Sequence, residues 1–246
     1  PIFIDAYQAD LLEEGKVRKA TLYSVLGIDF EAKKELLGLY LCLGNETKEY
    51  WLQLLNDLIK RGVKRVLVVI SDDFRGLKEA IAALFPDSFH QLCFIHLERN
   101  ARRNMGKEDG KDFVNELGRI KLEKDFETGL EKFLSLLERY EKKYPAFISR
   151  LRERSENYLA FLNFPPEVRK YLYTTNSVES FHSTVERIRV RMGGFFQSRD
   201  VLFVNCYLQY LRLKGKKWKA PIPHIRAHLY YLRQMFAQRY GELPDI

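Results

Sequence analysis

The order of the apolar runs along residues 1–95 constrains the fold of this chain more than any other feature. Three strand-like runs come first with only short polar segments between them, and two more alternate with stretches of helical spacing. The runs that predict strands are 1–5, 20–28, 36–43, 66–70 and 89–95, of which the last is either a short strand or a strand that leads into a helix. The stretches that predict helices are about 48–61, with Thr47 as its cap, and about 74–84. This order is typical of an α/β fold built on an open, mixed sheet.

The chain changes character between about residues 97 and 162, where apolar side chains recur at three- and four-residue steps. No strand pattern interrupts this stretch, so we expect it to be entirely helical. Two further helices are predicted over about 176–191 and 200–214, separated by Gly193-Gly194, and a last helix follows Pro223.

Acidic side chains stand at the ends of two predicted strands. Asp5 ends the first apolar run, and Asp72 follows the run at 66–70, whose continuous apolar character predicts a central strand. If these strands are neighbours, the two carboxylates lie side by side. Their mutual repulsion is tolerable if a divalent cation lies between them. Such a pair, with a third carboxylate, can hold two Mg²⁺ ions for the cleavage of a phosphodiester.

Each acid also has a simpler structural role open to it. Asp72 and Asp73 precede a predicted helix, and either can cap it; we assign Asp72 to the metal and Asp73 to the cap. Asp5 follows three apolar residues, which implies a buried carboxylate in need of a partner. Glu179 lies at or near the third position of the helix that follows Thr174-Thr175-Asn176, where it would complete a capping box. Spacing alone does not separate capping from metal binding at Glu179.

Several short stretches, taken together and in order, resemble one family. They are Ile4-Asp5-Ala6, Gly27-Ile28-Asp29, Leu37-Gly38, Trp51, Arg61-Gly62, Ile70-Ser71-Asp72, Gly76-Leu77, Phe85-Pro86, Gln91-Leu92-Cys93-Phe94-Ile95-His96, Asn100 and Thr174-Thr175-Asn176-Ser177-Val178-Glu179. In these stretches the chain resembles the Mutator-like group of DDE transposases, which includes many bacterial and archaeal insertion-sequence enzymes. The resemblance extends from residue 1 to about residue 200.

The resemblance implies a ribonuclease H-like fold: a mixed five-stranded sheet with flanking helices and an all-helical insertion before the last catalytic helix. It maps the catalytic, metal-binding triad onto Asp5, Asp72 and Glu179. The expected division is 1–96 for the first part of the core, 97–165 for the helical insertion, 166–200 for the return to the core with the catalytic helix, and 201–246 for a basic helical extension.

The resemblance further implies a DNA transposase that uses Mg²⁺, for which Mn²⁺ substitutes. Such an enzyme hydrolyses a strand at the transposon end and joins the exposed 3′-hydroxyl to target DNA, with no covalent protein intermediate. The expected partners are therefore transposon-end DNA, target DNA and further copies of the chain, as a homodimer or a higher assembly. Two alternatives stay open: a structure-specific nuclease on the same fold that cuts and never joins, and a DNA-binding derivative that has lost catalysis.

Cys93 and His96 have half of the spacing of a zinc site, but a structural zinc site needs four ligands. A buried thiol and a hydrogen-bonded histidine at a strand-helix junction are the favoured interpretation, and we expect no zinc. The family shows this pair regularly, which implies support of the active site by His96 and Cys93. Asn176, in the Asn-x-x-Glu motif, is a further candidate for such support.

The net charge of +8 lies entirely in the last third of the chain. Residues 166–246 hold 14 Lys and Arg against 6 Asp and Glu, whereas residues 1–165 hold 27 of each sign. This distribution favours a nucleic-acid surface there, with Arg187 and Arg191 as one pair of phosphate contacts and Lys216 and Lys217 as another. Trp218 would add a stacking surface. Pairing of the arginines with Glu186, or a solvated surface, is the alternative.

The remaining sequence features limit the location of the protein. No apolar run is long enough to cross a membrane, so we expect no membrane partner. The three cysteines lie far apart, which favours a reducing compartment and hence the cytoplasm. The chain begins at Pro1 without a signal-type segment or an initiator Met, so we expect it to be a fragment of a longer protein.

Overall fold

The computed structural model describes residues 1–241, and its elements follow the predicted order. The strands are β1 (Ile2–Glu13), β2 (Lys16–Ile28), β3 (Lys34–Cys42), β4 (Val68–Ser71) and β5 (Phe89–Leu92). The first helices are α1 (Lys48–Lys60), α2 (Leu77–Leu84), α3 (Phe94–Asn104), α4 (Lys107–Ile120), α5 (Phe126–Glu141), α6 (Pro145–Glu153) and α7 (Ser155–Leu159). A 3₁₀ turn (Ala160–Asn163) precedes α8 (Pro166–Arg169), α9 (Asn176–Arg191), α10 (Arg199–Lys214), α11 (Pro223–Ala227) and α12 (Leu229–Tyr240).

The five strands form one sheet in the order β3-β2-β1-β4-β5. β2 pairs antiparallel with both β1 and β3, whereas β4 pairs parallel with β1. The predicted α/β class with a mixed five-stranded sheet is therefore confirmed, and the strand order is that of a ribonuclease H-like fold.

The hairpin of β1 and β2 is much longer than the apolar runs predicted. The two strands pair continuously from Ile2 with Gly27 to Glu13 with Lys16. The turn places both Glu14 and Gly15 at positive φ, 49° and 75°, as a two-residue hairpin turn requires. The apolar pattern ends at residue 5 and resumes at residue 20 because the outer halves of both strands carry charged side chains.

One face of the sheet packs against α1 and α2. Trp51 and Leu55 of α1 meet Ile4 of β1 and Val25 of β2 in a continuous buried core. Because side chains alternate across a strand, the neighbours of Ile4 along β1, including Asp5, point to the opposite face. That opposite face is covered by α9, which packs on β1 and β2.

The starts of the two helices beside this core have different causes. α1 begins as predicted, with the Thr47 hydroxyl accepting a hydrogen bond from the Tyr50 amide at 3.2 Å. α2 begins at Leu77, later than predicted, and its N-cap is Gly76 at φ +81°. The assignment of Asp73 as the helix cap is therefore wrong, because three residues separate it from Leu77.

The described residues divide into two compact units. The first contains Pro1–Ser88 and the described part of Thr175–Ile246; the second is Phe89–Thr174. Apart from β5 the second unit is helical, as predicted for 97–162. Its buried Arg169 guanidinium donates to four carbonyl oxygens, which ties the end of the 3₁₀ turn to the α4–α5 loop; the acceptors are those of Glu123, Lys124, Leu162 and Phe164. The finer division into the segments 1–96, 97–165, 166–200 and 201–246 stays a prediction.

The C-terminal region departs from the prediction at one point. The predicted last helix is interrupted at His228, which separates α11 from α12. The last five residues of the predicted extension, 242–246, lie outside the described residues.

None of the helices in residues 1–241 combines the length and the apolarity that crossing a bilayer requires.

Candidate active site

The register of the sheet brings Asp5 and Asp72 next to each other. Ile4 of β1 pairs with Ser71, the last residue of β4, so Asp5 and Asp72 are the next residues along two adjacent parallel strands. Such strands lie about 4.8 Å apart. Asp5 is only 5% exposed. Asp72 is half-buried and accepts a hydrogen bond on Oδ1 from the Asp73 amide at 2.9 Å.

α9 crosses the sheet directly over Asp5. His182 of α9 places Nδ1 3.6 Å from Asp5 Oδ2 and Nε2 2.9 Å from the hydroxyl oxygen of Ser24. Glu179 lies three residues before His182, about one helical turn away and close to the same face. The structure therefore places Glu179 on the helix that covers the buried carboxylate of Asp5.

The first turn of α9 does not form the capping box that the sequence left open. The N-cap residue is Thr175, and its side chain makes no capping hydrogen bond. Asn176 is the first helical residue, so the third position belongs to Val178 and Glu179 comes fourth. A capping box needs its acidic residue at the third position. The capping box is therefore not formed, and the binding of a metal by Glu179 stays a prediction.

The three acids form a donor set that suits Mg²⁺, which prefers carboxylate oxygens. Within residues 1–241, however, no group of three His, Cys, Asp or Glu side chains is arranged to hold a metal ion as it stands. The convergence of Asp5, Asp72 and Glu179 on a metal stays a prediction.

His182 is a residue of this site that the sequence analysis did not select. Burial lowers the pKa of its imidazole from 6.5 to about 3, so the ring is neutral at physiological pH. A signal was present in the sequence, since His182 follows Glu179 at the three-residue spacing that places both on neighbouring positions of a helix.

The C-terminal half of α9 is tied to β1 by a polar network. Arg189 donates to Asp10 at 2.8 Å and to both oxygens of Glu186, at 2.6 and 2.8 Å, and to the carbonyl of Gly194. Tyr7 donates to Glu186 at 2.5 Å. These bonds hold the pKa of the Glu186 carboxyl at about 2, below its usual 4.5. The pairing with Glu186 that the sequence left open is therefore made by Arg189.

The four predicted DNA-contacting residues, Arg187, Arg191, Lys216 and Lys217, are all exposed. None of them is in an ion pair with another residue of the described chain. Trp218 does not provide the predicted stacking surface: it is 5% exposed and lies against Phe181 and Tyr210. This prediction is wrong because the indole fills the core beneath the lysines.

Cys93 and His96 belong to the second unit. Cys93 is buried at the N-cap of α3, and His96 is half-buried in the first turn of that helix. The amide of Phe94 between them donates to the carbonyl of Tyr173 at 2.8 Å, which joins this helix start to the end of the unit. Their support of the active site, like that of the exposed Asn176, stays a prediction.

Comparison with known proteins gives consistent matches. The profile of the family described as "Transposase, Mutator family" matches residues 1–211. The chain is 32% identical over 243 residues to the transposase for insertion sequence element ISRM3 of Rhizobium meliloti (strain 1021), which covers 98% of this chain and 59% of that protein. It is also 32% identical over 218 residues to a probable transposase for an insertion sequence element of Corynebacterium diphtheriae, covering 88% and 63%. The chain thus spans about three fifths of the length of these relatives.

Proposed function

The chain belongs to the Mutator family of transposases, and from this membership we infer that it forms the catalytic part of a DNA transposase. We propose that it cleaves a DNA strand at the ends of a mobile element and joins the exposed 3′-hydroxyl to target DNA. The observation that carries this proposal is the position of Asp72 directly after the strand that pairs with the strand of Asp5, together with the packing of α9, the helix of Glu179, on β1 and β2.

Asp5, Asp72 and Glu179 are the residues that we propose to hold Mg²⁺, or Mn²⁺ in its place. When bound, two such ions supply positive charge at the attacking and leaving oxygens of the phosphodiester. The protein contributes a rigid base for two of the ligands, since Asp5 lies within a strand and Asp72 directly follows one. The burial of Asp5 holds its carboxylate away from bulk water, which strengthens its attraction for a cation.

DNA binding is assigned to the exposed cations of the last third of the chain. Arg187 and Arg191 lie one turn apart on the exposed side of α9, the helix that carries Glu179. Their planar guanidinium groups suit bidentate contact with phosphate. Lys216 and Lys217 extend the positive surface after α10. The cytoplasmic location expected from the cysteines stays a prediction.

Strand joining separates this proposal from the nuclease alternative. The full-length protein is incubated with a labelled duplex that carries a pre-cut end of its own element, a supercoiled plasmid and Mg²⁺. We expect the label to become covalently attached to the plasmid, and the attachment to disappear in the Asp72→Asn variant. Cleavage of an uncut end without any joining would support the nuclease. Binding without either reaction would support the non-catalytic derivative.

We also propose that two copies of the chain associate through α10. This helix exposes four apolar side chains at the spacing of one helical face, namely Val204 (56% exposed), Tyr207 (53%), Leu208 (47%) and Leu211 (43%). A stripe of this kind marks an interaction surface. Asp200 at one end and Arg212 at the other are both exposed. Two antiparallel copies of α10 bring these opposite charges together, which favours a second copy as the partner.

A further inference from the structure

Three buried polar side chains from three elements meet beneath α9. Asp5 of β1 and Ser24 of β2 are directly paired across the antiparallel ladder, so their side chains point to the same face of the sheet. His182 of α9 lies over both, with Nε2 2.9 Å from Ser24 Oγ and Nδ1 3.6 Å from Asp5 Oδ2. Their exposures are 5%, 0% and 7%, so bulk water does not satisfy these groups.

We propose that His182 is a positioning residue that orients the carboxylate of Asp5 toward the metal, and that Ser24 in turn orients the ring of His182. The inference rests on the proposed function, because it assumes that Asp5 is a metal ligand. The contact between Ser24 and His182 depends on the packing of α9 on the sheet, because the two residues are 158 apart in sequence.

The hydrogen bonds can be assigned from the donors that each group has. A neutral imidazole carries one N–H, and a carboxylate can only accept. We place the N–H on Nδ1, where it faces the carboxylate of Asp5; Nε2 then accepts from the Ser24 hydroxyl. The separation of 3.6 Å between Nδ1 and Oδ2 exceeds a hydrogen bond. The proposal requires the carboxylate to move toward Nδ1, and His182 then fixes its orientation.

The same three residue types occur in hydrolytic triads, but here burial excludes that role. Ser24 is fully buried within β2, so no substrate can reach its hydroxyl. The contacts instead have the form of an outer shell around a metal site, in which a second residue fixes the orientation of a ligand. Loss of such a residue typically lowers metal affinity about 10- to 100-fold.

Two substitutions of His182 separate positioning from packing. In His182→Asn the amide nitrogen occupies about the place of Nδ1, so the donor to Asp5 is retained and the contact with Ser24 is lost. In His182→Gln the amide reaches the place of Nε2, so the contact with Ser24 is retained and the donor to Asp5 is lost. Ser24→Ala removes only the hydroxyl, and Asp5→Asn tests whether Asp5 is a ligand at all.

Mn²⁺ binding to the full-length protein without DNA is measured by titration calorimetry, with circular dichroism as a check of the fold. We expect about 10-fold weaker binding in His182→Gln. We expect a change of about threefold or less in both His182→Asn and Ser24→Ala, because each loses the contact with Ser24 but keeps the donor to Asp5. We also expect the Mg²⁺ concentration for half-maximal cleavage to rise in His182→Gln, while the rate at saturating Mg²⁺ changes little.

The outcomes distinguish this inference from the proposed function. If Asp5→Asn weakens Mn²⁺ binding and His182→Gln binds as well as the wild type, the positioning role is overturned and the metal site stands. Equal losses in His182→Gln and His182→Asn also overturn it, because the imidazole itself would then be required. If Asp5→Asn binds Mn²⁺ unchanged, the metal site and the inference both fail.

Discussion

At positions 72 and 73 two identical side chains stand next to each other in different structural settings. Asp72 follows β4 and lies in register with the buried Asp5, and its carboxylate accepts a hydrogen bond from the Asp73 amide. Asp73 lies in the loop before α2 without capping that helix. Position relative to the sheet therefore distinguishes the two acids, whereas helix capping does not.

Substitution of these two residues by Asn tests the assignment at atomic scale. Asp72→Asn keeps the size of the side chain but removes its negative charge, so we expect cleavage and joining to fall by about a thousandfold or more. Asp73→Asn is the matched control and should keep most of the activity, because the backbone amide that contacts Asp72 is unchanged. Both rates are measured on the same end duplex. An inactive Asp73→Asn with an active Asp72→Asn would reverse the assignment.

Glu186 makes a contribution to the free energy of unfolding that depends on pH. Bonds from Arg189 and Tyr7 lower the pKa of its carboxyl from 4.5 to about 2, so folding favours the charged form. This contribution is complete above about pH 4.5 and is lost as the pH falls toward 2. The Glu186 side chain is 40% exposed, so solvent screens its interactions. We therefore expect it to contribute only about 1 kcal/mol to the free energy of unfolding at neutral pH.

Urea unfolding at pH 7 and pH 3 measures this contribution. Glu186→Gln should lower the free energy of unfolding at pH 7 and make a smaller difference at pH 3. Glu153→Gln, at an exposed position of α6, is the matched control and should change little at either pH. A deficit in Glu186→Gln of equal size at both pH values would contradict the assignment.

At the scale of elements, the approach of α2 to α1 depends on a glycine. Gly76, the N-cap of α2, has a φ of +81°, and a Cβ atom there would lie 2.7 Å from the Lys48 amide nitrogen at the start of α1. Gly62, after α1, has a φ of +103°, but a Cβ atom there meets nothing within 4 Å. At both positions the backbone angles are unfavourable for residues other than glycine. Only at Gly76 would an added Cβ atom also lie too close to a neighbouring atom.

Alanine at these two positions separates backbone strain from crowding. Gly62→Ala should cost about 1–2 kcal/mol from the backbone alone. Gly76→Ala should cost more than about 2 kcal/mol, since α1 or the loop after β4 must move as well. Chemical denaturation of both variants provides the comparison. Equal losses would mean that the contact with α1 adjusts freely.

At the scale of the molecule, the excess of positive charge and two of the three acids proposed to bind metal lie in different parts of the chain. Asp5 and Asp72 lie in residues 1–165, where the charges balance, whereas the whole excess of positive charge lies in residues 166–246, which also contain Glu179. Arg189 forms ion pairs with Asp10 and Glu186, so its charge contributes to the fold. The exposed cations at Arg187, Arg191, Lys216 and Lys217 therefore remain the proposed phosphate contacts.

Salt dependence of DNA binding tests these contacts. Each phosphate contact contributes a slope of about −0.9 in log affinity against log salt on duplex DNA. Replacement of all four cations by Gln should weaken binding to every sequence and make the slope less steep by about 3 to 4. A control with four exposed lysines of the balanced region replaced, Lys60, Lys64, Lys107 and Lys142, should keep the slope. An unchanged slope in the first variant would assign those cations to a solvated surface.

Association through α10 is tested by sedimentation velocity of the full-length protein. We expect the wild type to be a dimer and a variant with Leu208→Glu and Leu211→Glu to be a folded monomer, because charge on the stripe opposes its burial. Leu122→Glu, at a position that is 84% exposed in the loop after α4, is the control and should stay dimeric. A monomeric wild type would mean that another part of the full-length chain covers the stripe.

The sequence by itself determined the elements whose patterns are local. The period of apolar residues predicted α9 and α10 almost to the residue, and Thr47 predicted the start of α1, because helical spacing and capping depend only on neighbours in the chain. The ordered motifs indicated the family, and with it the three acids.

Only the tertiary structure decided which side chains meet. It placed Asp5 in register with Asp72, set His182 against Asp5 and Ser24, paired Arg189 with β1 and buried Trp218 beneath the surface lysines. It also extended the first hairpin through strands too polar for their apolar pattern to predict. Strand register and burial depend on contacts between residues far apart in the chain, and a pattern of near neighbours holds no information about these contacts.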